Sequence, residues 1–268
     1  MRFFLLICRV RYLVVLLMMW SCPLMAVPVF SAAAGGDVRW FDWREYRDGG
    51  QLLSETGPQL FGVARLGATS GHWRASVESQ LGGGTAQYDG QLQSGEPYAA
   101  DATEQAVDTD WRLAWVEEKV ELSVGVLQRD WRRFIEGASG VSSAEERYRW
   151  RLLVWGVGGQ VAETQGWTCF LSARIGAPFD STEKVYLGGG YDDVALEPGN
   201  GLYWRLAVPL KSRSLPRLSL EPYFQQQTLK QSDVVPLTQN GVPTGIGLFQ
   251  PESVRRELGL TLLWQLMP

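Results

Sequence analysis

The feature that most constrains the fold of this chain is a series of short segments in which apolar and polar residues alternate with a period of two. The last segment shows the pattern most clearly, with Val254, Leu258, Leu260, Leu262, Trp264 and Leu266 on one parity and Arg255, Glu257, Gly259, Thr261 and Gln265 on the other. Side chains of a β-strand point alternately to opposite faces, so each segment predicts a strand with one apolar and one polar face. Helical periodicity is almost absent, and we therefore expect an all-β fold.

Ten segments of this kind occur, and their connections alternate strictly in length. The predicted strands are centred near residues 42, 63, 77, 112, 126, 153, 173, 206, 222 and 260. Long connections lie at 48–57, 84–106, 136–147, 180–200 and 232–252, and short ones at 70–71, 118–119, 164–166 and 211–216. This order predicts a single ten-stranded antiparallel transmembrane β-barrel with short periplasmic turns and long outer loops. The alternation leaves the facing of the strands near 42, 63 and 153 open, and eight strands plus a hairpin is the alternative count.

The distribution of aromatic residues favours a barrel that crosses a membrane. Five tryptophans are predicted near the short-turn ends of their strands, namely Trp40, Trp73, Trp115, Trp167 and Trp264. A second set is predicted nearer the long-loop ends, namely Trp111, Trp150 and Trp204, together with Phe134, Tyr148, Phe179 and Phe224. Two belts of aromatic rings are typical of the two interfaces of a membrane, whereas a soluble core would place the rings at mid-strand.

The polar parity carries many charged side chains. These are Arg74, Glu78, Arg112, Glu121, Arg129, Arg174, Arg205, Glu221, Arg255 and Glu257. In a membrane barrel they would point into a narrow lumen and would have to pair, and the excess of Arg over Lys suits bidentate pairing. The alternative is a periplasmic soluble β-barrel that binds an apolar ligand, in which the faces are reversed and these charges are solvated.

The N-terminal residues predict an export signal over 1–34 and a barrel domain over 35–268. Arg2, Arg9 and Arg11 precede the apolar stretch 12–20, and Ala32 and Ala34 form a small-residue cleavage pattern. Removal of residues 1–34 leaves 22 basic and 29 acidic residues, a net charge of −7. An acidic body without a basic stripe argues against nucleic acid as a partner.

On these patterns residues 35–268 resemble the small outer-membrane β-barrels of Gram-negative bacteria. The resemblance implies a porin-like, monomeric protein of the cell outer membrane that contacts outer-membrane lipid and lipopolysaccharide and is inserted by the outer-membrane assembly machinery. The sequence Tyr88-Asp89-Gly90-Gln91, with Ser94-Gly95, is similar to a loop sequence in a poorly characterised set of these barrels. Such proteins usually end in an aromatic residue, whereas this chain ends in Met267-Pro268, and Trp264 is predicted to serve as the terminal aromatic residue.

The chain offers little catalytic chemistry. Its size matches the omptin proteases, but the single histidine, His72, is predicted at a short inner turn, away from the outer rim where those enzymes act. One His and one mature Cys cannot form a zinc site, so we expect no metal and no cofactor. The glycine run at 82–84 lacks the flanking residues of a phosphate loop and predicts a flexible loop end.

The expected role is structural or surface-interacting, with a polar, mostly filled lumen and an unknown surface ligand. Ten strands lie just above the ~8 whose interior side chains alone can fill, so a wide pore is not expected. The alternatives are a narrow channel for small solutes or ions and a hydrolase whose acidic residues lie in the outer loops.

Overall fold

The computed structural model describes residues 27–91, 96–137, 143–188 and 190–267. The strands are β1 (Val29–Arg47), β2 (Gly50–Ser70), β3 (Trp73–Gln91), β4 (Pro97–Glu117), β5 (Val120–Ile135), β6 (Ala144–Glu163), β7 (Trp167–Leu187), β8 (Val194–Leu196), β9 (Tyr203–Ala207), β10 (Leu210–Ser212), β11 (Leu218–Leu229), β12 (Val235–Gln239), β13 (Val242–Leu248) and β14 (Glu252–Met267). Within these ranges no helix is long and apolar enough to cross a membrane.

The strands close into a ten-stranded antiparallel β-barrel, as predicted. β1 to β7 pair in sequence order, and β14 pairs with both β11 and β1, which joins the two ends of the sheet. The eighth position of the barrel is shared by β8, β9 and β10, and β9 pairs with β7 on one side and β11 on the other. Pro198 and Pro209 lie between these pieces, and proline cannot donate to a sheet ladder. The remaining hairpin, β12–β13, lies outside the barrel wall.

The first two predicted long loops are the main error in the predicted strand lengths, because most of their residues extend the strands. The predicted loop 48–57 is a two-residue turn at Asp48 and Gly49, which have φ of 52° and 80°, the left-handed values that tight hairpins use. β3 continues to Gln91 and β4 begins at Pro97, so most of the predicted loop 84–106 is strand. The inner turns at 71–72, 118–119 and 164–166 match the predicted short connections.

Two motifs that were assigned to loops lie in β3. Tyr88–Gln91 forms the outer end of the strand, and Ser94-Gly95 lies outside the described residues. The run at 82–84 is not a flexible loop end but the middle of β3. A Cβ on Gly82 would lie 2.6 Å from the Cα of Phe61, so glycine permits the close approach of β2.

The outward surface changes character halfway along each strand. On β1, Val38 and Trp40 face outward and are more than half exposed, whereas the next outward positions are Asp42 and Arg44. The other strands follow the same order, with apolar outward residues towards the inner turns and polar ones towards the outer connections. The apolar band marks the part of the wall that faces lipid, and the outer half of the barrel projects beyond it.

The facing of the three ambiguous strands is resolved by burial. Phe41 and Trp43 of β1, Phe61 of β2, and Leu152 and Val154 of β6 are all buried in the lumen. On β14 the residues predicted to face outward do so, and the exposed ones are Leu258, Leu260, Leu262, Trp264 and Leu266.

The first strand begins at Val29, six residues before the predicted start of the barrel domain. Residues 29–34 pair with β2, and Ala32 to Ala34 also pair with β14. Of the predicted leader, residues 27–34 are described, and residues 1–26 lie outside the described residues. The cleavage site therefore stays a prediction, and cleavage after Ala34 would remove the first part of β1.

Candidate functional site

The inner part of the lumen holds paired Arg and acidic side chains. Arg205 Nη2 lies 2.8 Å from Glu221 Oε1, and Arg65 forms ion pairs with Glu78 and Glu221. Three further pairs of this kind are Arg74 with Glu121, Arg112 with Asp110 at 2.6 Å, and Arg174 with Asp110 at 2.9 Å. These side chains come from β2, β3, β4, β5, β7, β9 and β11, so the pairs connect the wall across the lumen.

A single buried carboxylate organises the middle of the lumen. Glu257 of β14 lies 2.6 Å from Arg255, 3.0 Å from Arg39 and 3.8 Å from Arg129. Arg129 also pairs with Asp108 at 2.8 Å. All five side chains are at most 7% exposed. Opposite charges at these distances compensate one another, which is the condition for keeping ions in a water-poor interior.

The outer part of the lumen is filled by closely packed aromatic rings. The ring centroids of Trp43 and Trp131 are 5.0 Å apart, those of Trp131 and Tyr148 4.7 Å, and those of Tyr148 and Trp150 5.2 Å. Trp150 and Tyr148 were predicted in the outer girdle, and this is wrong, since Trp150 is 0% exposed. The physical reason is that their parity on β6 is the parity of Leu152, which also points inward.

A cluster of acidic side chains surrounds one arginine beside these rings. Arg133 lies 2.6 Å from Glu55, 2.7 Å from Glu146 and 3.3 Å from Glu45. Trp131 donates a hydrogen bond from its indole nitrogen to Glu104. The aromatic layer is therefore held in place by hydrogen bonds and ion pairs as well as by ring packing.

Each of the ten predicted lumen charges has an oppositely charged partner in the structure. About as many further charged residues of the lumen were not predicted, chiefly Asp37, Arg39, Arg65, Asp108, Asp110 and Arg133. For two of these residues the strand parity contains a signal that would have predicted them. Asp108 and Asp110 share the parity of Arg112 on β4, so extending that parity outward from Arg112 would have found both.

Most outward tryptophans lie at one of the two edges of the apolar band, whereas Trp155 lies within it, in register with Val124. Trp73 and Trp115 are direct neighbours across β3 and β4 near the inner turns, where Trp167 and Trp264 also lie. Trp111 and Trp204 face outward at the outer edge. Trp40 was predicted near the inner end but lies at the outer edge, because β1 starts earlier than expected and Asp42 follows it outward.

The β12–β13 hairpin and the β13–β14 connection form an outer cap. Val185, Val194, Leu196 and Leu237 bury an apolar cluster that holds the hairpin against β7 and β8. Gln250 donates a hydrogen bond to Glu45 at 3.3 Å and accepts one from Tyr148 at 3.1 Å, so this connection contacts the lumen residues.

One carboxylate fastens the hairpin tip to the neighbouring loop. The Thr238 hydroxyl and the Gly241 N–H donate hydrogen bonds to Asp192 at 2.6 and 2.8 Å and hold the pKa of Asp192 below its usual range. In the part of the chain that the structure describes, no three His, Cys, Asp or Glu residues are grouped as a metal site.

His72 occupies the β2–β3 turn at the inner end of the barrel. Its Nδ1 lies 3.1 Å from the Val116 carbonyl oxygen and 3.1 Å from Glu117 Oε2, and both side chains are exposed. The barrel length separates it from the outer cap, so His72 cannot act together with the acidic residues there.

Comparison with solved structures supports the architecture. The structure is similar to that of the outer-membrane protease OmpT from Escherichia coli, with a TM-score of 0.53 and 10% identity over 91% of this chain and 99% of that chain. Neisserial surface protein A has a TM-score of 0.37 at 10% identity, over 89% of this chain and 99% of that one. The translocator domain of the autotransporter NalP from Neisseria meningitidis has a TM-score of 0.44 at 12% identity, over 86% and 88%. No protein-family model and no curated protein sequence matches the chain.

The TM-score of 0.53 with OmpT supports the fold. The protein is an outer-membrane β-barrel, and its location is the cell outer membrane, as predicted. The alternative of a soluble periplasmic barrel requires the charged face to be solvated, and it is wrong because that face is buried and the apolar face is exposed. The similarity to OmpT is a similarity of fold, since the identity is only 10%.

Proposed function

We propose that this protein is a monomeric, non-conducting barrel whose role is to present its projecting outer half as an interaction surface. The observation that carries the proposal is the filling of the lumen by charged pairs in its inner and middle parts and by aromatic rings in its outer part. The cavity beside Arg129, Asp108 and Arg174 has a volume of about 20 Å³. That volume holds about one water molecule, so the side chains fill this part of the lumen closely.

The outer cap supplies exposed apolar side chains that a solvated loop does not need. Val234 and Val242 are 60% and 65% exposed, and Tyr191 and Ile246 are about 40% exposed. Val242 and Ile246 lie on the hairpin and the other two beside it, and the hairpin is itself anchored by a buried cluster. Exposed apolar residues on a fixed support favour a contact surface for another molecule.

Planar lipid bilayers test the closed lumen. Full-length protein is refolded, its heat-modifiable migration is verified on a gel, and its insertion into the bilayer lipid is measured separately by vesicle flotation. We expect inserted protein to give no single-channel currents. Discrete conductance steps from inserted protein would refute the proposal and would favour the second candidate, a narrow ion channel that passes through the charged column around Glu257.

We further propose that the barrel has no catalytic activity. The acidic residues in the outer lumen, Glu45, Glu55 and Glu104, are at most 5% exposed, and His72 lies at the opposite end. Incubation of the folded protein with peptide, phospholipid and acyl-ester substrates is expected to give no product. Turnover that survives purification and disappears in a variant of an outer-loop acidic residue would contradict this expectation.

The closer resemblance to the barrels that carry a Tyr-Asp-Gly-Gln sequence stays a prediction. In this chain that sequence ends β3 at the outer rim, beside the start of β4. It therefore belongs to the surface that we propose for interaction.

A further inference from the structure

A groove of about 410 Å³ lies on the outside of the barrel wall, just above the apolar band. It is lined by outward side chains of β3 to β7. The charged ones are Asp130, Arg132, Arg147, Arg149 and Lys184. The groove therefore has four basic side chains and one acidic one, an unusual charge balance in a protein whose net charge is −4.

Three of the basic residues are direct neighbours across adjacent strands. Arg132 of β5 pairs in register with Arg147 of β6, and Arg147 pairs with Lys184 of β7. Like charges directly opposite each other in a sheet repel. This row therefore destabilises the isolated barrel unless an anion lies over it.

The protein itself supplies only part of that negative charge. Glu145 lies 2.7 Å from Arg132 and 2.6 Å from Arg147, so both of its oxygens are engaged. Among the described residues Lys184 has no carboxylate within 4 Å. In the next row towards the membrane, Arg149 pairs with Asp130 at 2.6 Å and lies opposite Thr182. The groove thus presents a free ammonium group and partly engaged guanidinium groups.

The site is also positioned for an amphiphilic ligand. The ring of Tyr186 lies 4.7 Å from the Arg147 guanidinium, which holds that side chain over the groove. The opposite wall is formed by Leu81 and Val107, which are 67% and 40% exposed. A basic row beside exposed aliphatic residues at the edge of the lipid-facing band matches a ligand that carries phosphate next to acyl chains.

We propose that this groove binds the phosphate groups of an outer-leaflet glycolipid, the lipopolysaccharide headgroup. Arg147 and Lys184 donate charge-assisted hydrogen bonds to phosphate oxygens, and Leu81 and Val107 contact the adjoining acyl chain. The proposal rests on the outer-membrane location and not on the closed lumen, so it holds whether or not the barrel conducts.

The test measures binding of lipopolysaccharide to full-length protein folded in a neutral detergent. The double variant Arg147→Gln/Lys184→Gln removes two neighbouring charges of the row. The matched control, Arg44→Gln/Arg256→Gln, removes two outward basic side chains from β1 and β14, where both lie beside Asp42. We expect the groove variant to bind at least about tenfold more weakly and the control to bind within about twofold of wild type.

Wild-type protein supplies a test that does not depend on the folding of any variant. Its affinity for enzymatically dephosphorylated lipopolysaccharide is expected to fall by at least about tenfold, and inorganic phosphate alone is expected to compete only weakly. Undiminished binding of the dephosphorylated lipid overturns the proposal. Equal weakening in both double variants also overturns it, because that result indicates general charge attraction. Full competition by inorganic phosphate overturns the lipid assignment, because it indicates a site for free anions.

Discussion

Replacing Glu257 with Gln tests whether the lumen is a water-poor, charge-paired interior. The substitution keeps the shape of the side chain and removes its charge. Arg39 and Arg129 retain a second carboxylate, since Asp37 lies 2.6 Å from Arg39, and Asp108 pairs with Arg129. Arg255 has no second carboxylate within 4 Å among the described residues. The variant therefore leaves one buried guanidinium uncompensated.

The surroundings of Arg255 determine the size of the effect. Its Nη1 and Nη2 atoms are buried and have no hydrogen-bond partner, and its guanidinium lies 5.0 Å from the Phe41 ring and 4.9 Å from the Trp131 ring. Breaking a buried ion pair costs about 3–5 kcal/mol, whereas a cation–π contact supplies about 0.5–2 kcal/mol and is already present. We expect E257Q to lower the free energy of unfolding by about 3 kcal/mol.

The protein is unfolded with urea in detergent micelles, and the folded fraction is measured by heat-modifiable gel migration. The control is Glu163→Gln, because Glu163 pairs with Arg213 at 2.9 Å at the inner surface and both side chains are 50% exposed. Such a pair contributes at most about 1 kcal/mol. Adding Arg255→Met to E257Q is expected to recover much of the loss, since it removes the uncompensated charge. Equal, small losses in E257Q and the control would refute the reasoning and indicate a hydrated lumen.

Three further predictions address the facing of the strands, the aromatic layer and the cap. Val124→Arg, on the lipid face, is expected to block assembly at a cost of about 2–4 kcal/mol, whereas Thr103→Arg, on the projecting wall, assembles normally; recovery in outer-membrane fractions compares them. Trp150→Ala is expected to cost about 3–5 kcal/mol in urea unfolding because it leaves a cavity, and lipid-facing Trp155→Ala to cost clearly less, so equal costs would contradict the buried position of Trp150. Because the pKa of Asp192 is lowered in the folded protein, its carboxylate stabilises the β12–β13 hairpin above about pH 4, and this stabilisation is lost as the pH falls further. Hydrogen exchange in β12–β13 is therefore expected to accelerate at low pH in wild type but to show no such acid step in Asp192→Asn.

The strand number and the closed architecture could be predicted because they depend on parity and turn spacing. Parity fixes the face of every residue once one residue is placed, as on β14, where Trp264 faces lipid and Glu257 faces the lumen. Three of the four inner turns were found because their residues interrupt the alternation over only two or three positions. These signals are local, and a single sequence contains them in full.

The strand lengths, and with them the aromatic layer, could not be read in this way. A strand that leaves the membrane keeps its parity but exchanges the chemistry of its two faces. On β6, Leu153 faces lipid, but two residues further out Arg151 occupies the same parity, while Trp150 and Leu152 are buried inside. A search for apolar residues on one face ends a strand at this exchange, so the projecting half was assigned to loops.

This exchange of faces explains how one barrel wall serves two surroundings. In the membrane the outside must be apolar, so the polar side chains turn inward and have to pair, as Glu257 does with Arg39 and Arg255. Above the membrane the outside is wetted, so apolar rings can fill the interior as they do in a soluble barrel, and charged side chains are free to face outward. The outward charges beyond the boundary, from Arg151 outward to Arg147 and Lys184, are then available to the lipid headgroups. The exchange that ends the lipid-facing band thus also places the proposed phosphate site.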